Sequence, residues 1–116
     1  MRVGDILIEP IYDGTAVLSP EMFVNSDWTG HEHLLDDGQL VLPVGAFLVR
    51  TGDHLALLDA GVGNVHDEMF DGGAMLDNLQ AAGVMPHEVD TIIVAHLHGD
   101  HIGWLARAGD LARPGQ

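Results

Sequence analysis

The 116-residue chain has no cysteine and no lysine, and its only basic side chains besides histidine are Arg2, Arg50, Arg107 and Arg113. Without cysteine there are no disulfides and no thiolate metal sites, and the redox compartment is left open. Eighteen acidic residues against four arginines give a net charge of −14. Phosphate recognition draws on Lys and Arg, so this balance argues against nucleic acid and against anionic membrane surfaces as partners. The acidity itself is read first as a solubility device, and the eight histidines reduce it as pH falls through their range. No apolar run is long enough to span a bilayer. The amino terminus, Met1–Arg2–Val3–Gly4–Asp5–Ile6, lacks the apolar core of a secretory signal, so the expected location is cytoplasmic. No repeat or low-complexity segment is present. With 47% hydrophobic residues the composition is that of a globular chain, one domain at most.

The most informative stretch is Thr91–Ile92–Ile93–Val94–Ala95 running into His96–Leu97–His98–Gly99–Asp100–His101. The apolar, β-branched run predicts a buried strand over 91–95. In a continuing strand His96 and His98 point to one side, because side chains alternate with period two. Gly99 permits a sharp change of backbone direction that carries Asp100 and His101 to a second position nearby. Two adjacent clusters of nitrogen and oxygen donors suit zinc or a similar divalent ion.

HLHGDH resembles the HxHxDH signature of the metallo-β-lactamase-fold hydrolases. Upstream, Leu55–Ala56–Leu57–Leu58–Asp59–Ala60–Gly61 resembles that family's earlier strand ending in Asp-x-Gly, and the likeness covers most of the chain from Phe47 to Trp104. The resemblance implies an α/β (α+β) fold, the amino-terminal half of an αββα sandwich with a mixed sheet and flanking helices. It implies two divalent metal ions, Zn2+ first, with Mn2+, Fe2+ or Co2+ as alternatives. His96 and His98 would hold one ion, Asp100 and His101 the other. Asp100 would also orient the nucleophile or accept its proton, and Asp59 would support the histidine loop without binding metal. Hydroxide generated on the metal would attack an ester, lactone or phosphoester centre of a small-molecule substrate. The HxHxDHxGW form, with Trp104, is closest to lactonase-like and phosphotriesterase-like members.

The family's remaining ligands, a further His and then an Asp and a His, lie well downstream of this motif. No His follows His101, and Asp110 is too near the motif to be the bridging residue. Residues 1–116 are therefore read as a partial domain, truncated before the carboxy-terminal half. Three readings stay open: a metallohydrolase seen through its amino-terminal part, a non-catalytic fragment that self-associates, and a metal-binding module completed by a partner chain.

Along the rest of the chain, residues 6–11 read as an edge strand, Asp13–Gly14 as a turn signal, and 15–18 as the returning strand of a hairpin. Residues 25–39 read as a long polar loop. His31–Glu32–His33 lies there with no strand leading into it, and is read as solvated loop residues. Were that loop to reach over the site, Phe23, Trp28 and the two histidines would touch substrate. Residues 45–50 and 54–58 read as a hairpin, which leaves His54 exposed beside the turn. Met75, Leu76, Leu79 and Ala82 recur at helical spacing, predicting a helix over 74–82 capped by Gly83. Pro86 starts a helical turn that leaves His87 exposed, and 101–107 begin another helix. With strands for about one sheet, Leu40, Val41, Phe47, Val49, Leu55, Leu57, Ile92 and Val94 cannot all be covered by that one helix. The expectation is an uncovered apolar face and hence self-association or a partner half.

Overall fold

Period-two alternation in the amino-terminal half builds strands, and the 3.6-residue spacing after Gly73 builds a helix on one face of them. The computed structural model describes residues 1–105. Its elements are β1 (Arg2–Val3), β2 (Ile6–Leu18), β3 (Leu40–Thr51), β4 (His54–Leu58), β5 (Phe70–Asp71), α1 (Met75–Ala81), β6 (Thr91–Ile93) and α2 (Gly99–Ile102). The strands form a mixed sheet in the order β1-β2-β3-β4-β6, with β5 paired to β2 beside that path. Pairing is antiparallel except between β4 and β6, which run parallel. Parallel neighbours need a crossover, and residues 59–90, containing α1, supply it. The last helix, expected over 101–107, starts earlier and ends at Ile102, spanning only Gly99–Ile102; residues 106–107 and the tail around Asp110 lie outside the described residues.

Several expectations match. The β3–β4 hairpin pairs Thr51 with His54 and Phe47 with Leu58. Helix α1 ends before Gly83, which takes φ +85° as the left-handed residue closing the helix. Pro86 opens the short helical turn Pro86–Glu88. Residues 25–39 are mostly irregular, with one turn of 3-10 helix at Glu32–Leu34.

Two expectations are corrected. Asp13–Gly14 does not close a hairpin. β2 continues through it, and its register against β3 slips between Tyr12 and Gly14. This is a β-bulge, which bends the strand and re-aims a side chain. Bulge and turn draw on the same Asp and Gly chemistry, and the deciding factor is tertiary: Asp13 finds buried N–H donors, described below. The second correction concerns β6. It stops at Ile93 and lies at one edge of the sheet, where Ile93 is 53% exposed.

The two faces of the sheet differ sharply. One carries Ile11, Ala46, Leu48 and Leu57, which pack with Met75 and Leu79 of α1 and with Val84, Val89 and Trp104. Leu55 and Ile92 lie against the same cluster, so these two and Leu57 are the members of the eight named from sequence that the helix side covers. Arg50 closes the edge of this layer, donating to the Ala82 carbonyl beyond α1 and pairing with Glu9. The opposite face carries an apolar row across four strands, Pro10–Phe47–Leu58–Ile93, paired in that order. There Phe47 is 50% exposed while Leu48, one residue on, is fully buried. Each large apolar side chain left in water forgoes about 1.5–3 kcal/mol.

Leu48→Ala and Leu57→Ala should each lower the unfolding free energy by about 2–5 kcal/mol in chemical denaturation, from lost burial plus a residual cavity. Phe47→Ser should cost less than either, and should reduce self-association of the 116-residue chain in sedimentation equilibrium at moderate salt.

Candidate functional site

Because β4 and β6 are parallel neighbours, their carboxyl ends deliver Asp59 and the histidine loop to one side of the sheet. The last ladder bond is Asp59 N–H to the Ile93 carbonyl, 2.7 Å. Beyond it the Asp59 side chain takes over: Oδ1 accepts the Ala95 N–H at 2.8 Å. A carboxylate thus replaces the backbone partner, and β6 ends two residues sooner than its apolar run suggests. Oδ2 of Asp59 lies 2.7 Å from Nδ1 of His101. A carboxylate only accepts, so Nδ1 carries the hydrogen, and in the neutral form of the ring Nε2 then keeps its lone pair. This is how carboxylates fix the tautomer of ligand histidines in metal sites.

Burial works to raise the pKa of Asp59, but it is outweighed. The Ala95 N–H, the hydrogen bond from His101 and the charges of His101 and His96 hold the carboxyl below its ordinary range. The backbone pays no heed to the usual preference here: Asp59 sits at φ +68°, a region disfavoured for side-chain-bearing residues.

The three histidine rings lie together. His96 packs on His98 with centroids 4.5 Å apart and nearly perpendicular planes, and on His101 with centroids 4.0 Å apart. Asp100, in the first turn of α2, places Oδ2 3.6 Å from Nε2 of His101. His96 therefore stands between His98 and His101, so the two adjacent clusters expected from strand alternation run together as one row of rings. The reason is that residues 94–98 are not strand, so period two does not govern them. Among the described residues no three His, Asp or Glu side chains stand as a finished metal cage. The donor set fits a divalent ion nonetheless: imidazole nitrogens and one carboxylate, with the tautomer of His101 fixed by Asp59 so that Nε2 is available. A cavity of about 420 Å3 opens beside Asp59, Asp100 and His101 and runs along Tyr12, Leu42, Phe47 and Phe70.

Sequence reasoning missed Asp13. It is fully buried, and five N–H groups point at it. Oδ2 accepts from Val62 (2.8 Å) and Gly63 (3.0 Å), and Oδ1 from Gly73 (3.2 Å), Met75 (2.9 Å) and the Trp104 indole (3.1 Å). Trp104, read only as part of a family-like signature, is thereby a core residue tied to this carboxylate. Only part of the signal lies in residue order: Asp13 follows an apolar strand, as Asp59 does, and a carboxylate there needs donors, but which donors reach it leaves no local trace. The other histidines stand apart from this row. His54 is exposed near Asp90 and Thr91. His66 joins Asp71 and Asn64 in an exposed hydrogen-bonded group. His31, His33 and His87 are exposed, and Phe23 packs edge-on against Trp28 within its own loop.

A sequence model of the metallo-beta-lactamase superfamily matches residues 40–112. A probable metal-dependent hydrolase from Staphylococcus aureus superposes with a TM-score of 0.78 at 23% identity, over 89% of this chain and 42% of its own. That likeness speaks to fold alone. The hydrolase AbOPH of the beta-lactamase superfamily gives a TM-score of 0.72 at 34% identity, over 88% of this chain and 36% of its own. AidC, a dizinc quorum-quenching lactonase in complex with a product, gives 0.73 at 25% identity, over 89% and 37%. The chain thus spans 36–42% of the length of these three structures.

Asp59 offers a test by pH. Its pKa is lowered in the fold, so it contributes stability that is present above the ordinary carboxylate range and lost as pH falls through the lowered value. Asp59→Asn should be less stable than wild type near neutrality, and the gap should shrink as pH falls through that acid window. Urea unfolding across pH checks this, and a gap that persists unchanged into strong acid contradicts the assignment.

Proposed function

The chain belongs to the metallo-beta-lactamase superfamily, and we propose that it supplies the HxHxDH half of a divalent-metal hydrolase site. The observation that carries this reading is the Asp59–His101 hydrogen bond beside the packed rings of His96 and His98. It spends a carboxylate on fixing one imidazole with its outer nitrogen free, an arrangement that serves ligation. His96 and His98 would hold one ion, Asp100 and His101 a second, most simply Zn2+. A divalent ion bound there supplies Lewis acidity and brings the pKa of a bound water to about 7. Asp100, which lines the cavity, would orient the attacking water or accept its proton. His101, held on Asp59 through Nδ1, keeps Nε2 beside Asp100.

The substrate class follows from the surroundings. The cavity beside Asp100 is walled mostly by apolar side chains such as Tyr12, Leu42, Phe47 and Phe70, and the chain as a whole carries −14. Both favour a neutral ester, lactone or phosphotriester with an apolar substituent over an anionic substrate. The lactonase neighbour supports the lactone member of that class. A catalytic zinc takes three protein ligands plus water, and these four residues offer two to each ion. We therefore assign full activity to the longer assembly, in which further ligands join, through a carboxy-terminal half or a partner.

Zinc titration of the 116-residue chain should show uptake that His96→Ala and His101→Ala each weaken by about 10-fold or more. The same chain should show no lactone, ester or phosphotriester turnover at an enzyme's rate. Uptake unaffected by either substitution would place the metal elsewhere, and metal-dependent turnover by the chain alone would show that no further ligand is required.

A further inference from the structure

We propose that Asp13 is a positioning residue of this site: its buried carboxylate holds the loop of residues 59–63 in the conformation that aims Asp59 at His101. The functional consequence rests on the metal-site reading above, whereas the geometry does not.

The loop is conformationally demanding. Asp59, Gly61 and Gly63 take φ of +68°, +61° and +87°. Glycine adopts such angles freely, but Asp59 carries a Cβ, and a side-chain-bearing residue persists there only where its surroundings over-determine it. Asp13 supplies that constraint from two directions. Through Oδ2 it grips the successive N–H groups of Val62 and Gly63, three and four residues after Asp59. Through Oδ1 it grips the indole of Trp104, three residues after His101. The Trp104 and Gly103 N–H groups in turn donate to the Ala60 and Gly61 carbonyls, and the Ala60 N–H donates to the His101 carbonyl.

The loop and the end of α2 are therefore laced together, with one carboxylate gripping both. A Cβ on Gly61 would collide with the Asp13 side chain, so the loop rests directly on it. Both partners of the Asp59–His101 hydrogen bond stand at the ends of short arms whose other ends are fixed on Asp13. Releasing Asp13 from either arm leaves the two segments joined only through those backbone bonds, which loosens the spacing and angle of the Asp59–His101 bond and with it the hold on the His101 tautomer.

The test compares four proteins. Asp13→Asn keeps the shape but presents an amide where a carboxylate accepted from both sides. Trp104→Phe removes one donor and leaves the carboxylate. Leu48→Ala is a buried truncation that removes no hydrogen bond, and controls for lost stability. Heteronuclear NMR of the histidine rings, on folded metal-free protein at mildly alkaline pH, reads which nitrogen of His101 bears the hydrogen. Wild type and Leu48→Ala should show it on Nδ1. Asp13→Asn and Trp104→Phe should move His101 toward the mixture of an unconstrained ring. Zinc affinity should fall about 10–100-fold in Asp13→Asn, the range for losing a residue that supports a ligand, by less in Trp104→Phe, and not at all in the control.

If both variants keep Nδ1–H and wild-type zinc affinity, Asp13 only stabilises the fold and the proposal is overturned. The same tautomer change in Leu48→Ala overturns it too, by tracing the effect to general loosening. A wild type that takes up no zinc, with the tautomer shift present in the two variants, sinks the metal-site reading and leaves the positioning role standing. Should Asp13→Asn not fold, Trp104→Phe decides.

Discussion

A carboxylate withdrawn from water must recover its lost hydration from the protein, and Asp13 does so through five N–H groups drawn from widely separated parts of the chain. The donors come from the loop after β4, from the first residues of α1 and the glycine before them, and from Trp104 after α2. Each of those segments needs a partner for exposed backbone or indole hydrogens at a point where regular structure has just ended or is about to begin. The Met75 N–H is one of the orphan donors every helix start leaves, and Ala74 before it offers no side-chain cap. One residue of β2, turned inward by a bulge, answers all of them. The crossover from β4 to β6 is thereby folded back onto the strand that opens the sheet.

Asp59 works by a related principle at smaller scale. It ends β6 by accepting the hydrogen bond that a longer β4 would have accepted, and the same carboxylate then sets the ring of His101. Strand termination and ligand orientation are consequences of one side chain, which is why the histidine loop starts where it does. The loop itself has little burial of its own, since His96, Leu97 and His98 are exposed. Its geometry is inherited from the two carboxylates behind it.

The sheet is lopsided. Helix α1, Trp104 and the segments around them cover one face, while Phe47, Leu58 and Ile93 form an apolar row on the other. The solved relatives are more than twice as long as the stretch they share with this chain. The uncovered face and the candidate site meet at one cavity, so whatever covers the face also borders the chemistry.

Much of this was legible from residue order. The β3–β4 hairpin, α1 with its Gly83 stop, the strands leading to Asp59 and to the histidine loop, and the family itself follow from local patterns: period two, helical spacing, turn residues and a spaced motif. Those signals are carried by neighbours in sequence, and the structure agrees with them. The role of Asp13 was not legible, because a bulge and a turn share the same two residues and only the arrival of Val62, Gly73, Met75 and Trp104, each at least 49 positions away, distinguishes them. The early end of β6 and the single row of rings were hidden for a like reason, since both depend on how far β4 extends and where its terminal carboxylate reaches. Sequence by itself determined most of the strands, helix α1 and which side chains carry nitrogen and oxygen donors. Tertiary structure alone decided which buried carboxylate finds which hydrogens, because that pairing is set by distance in space and leaves no periodic trace along the chain.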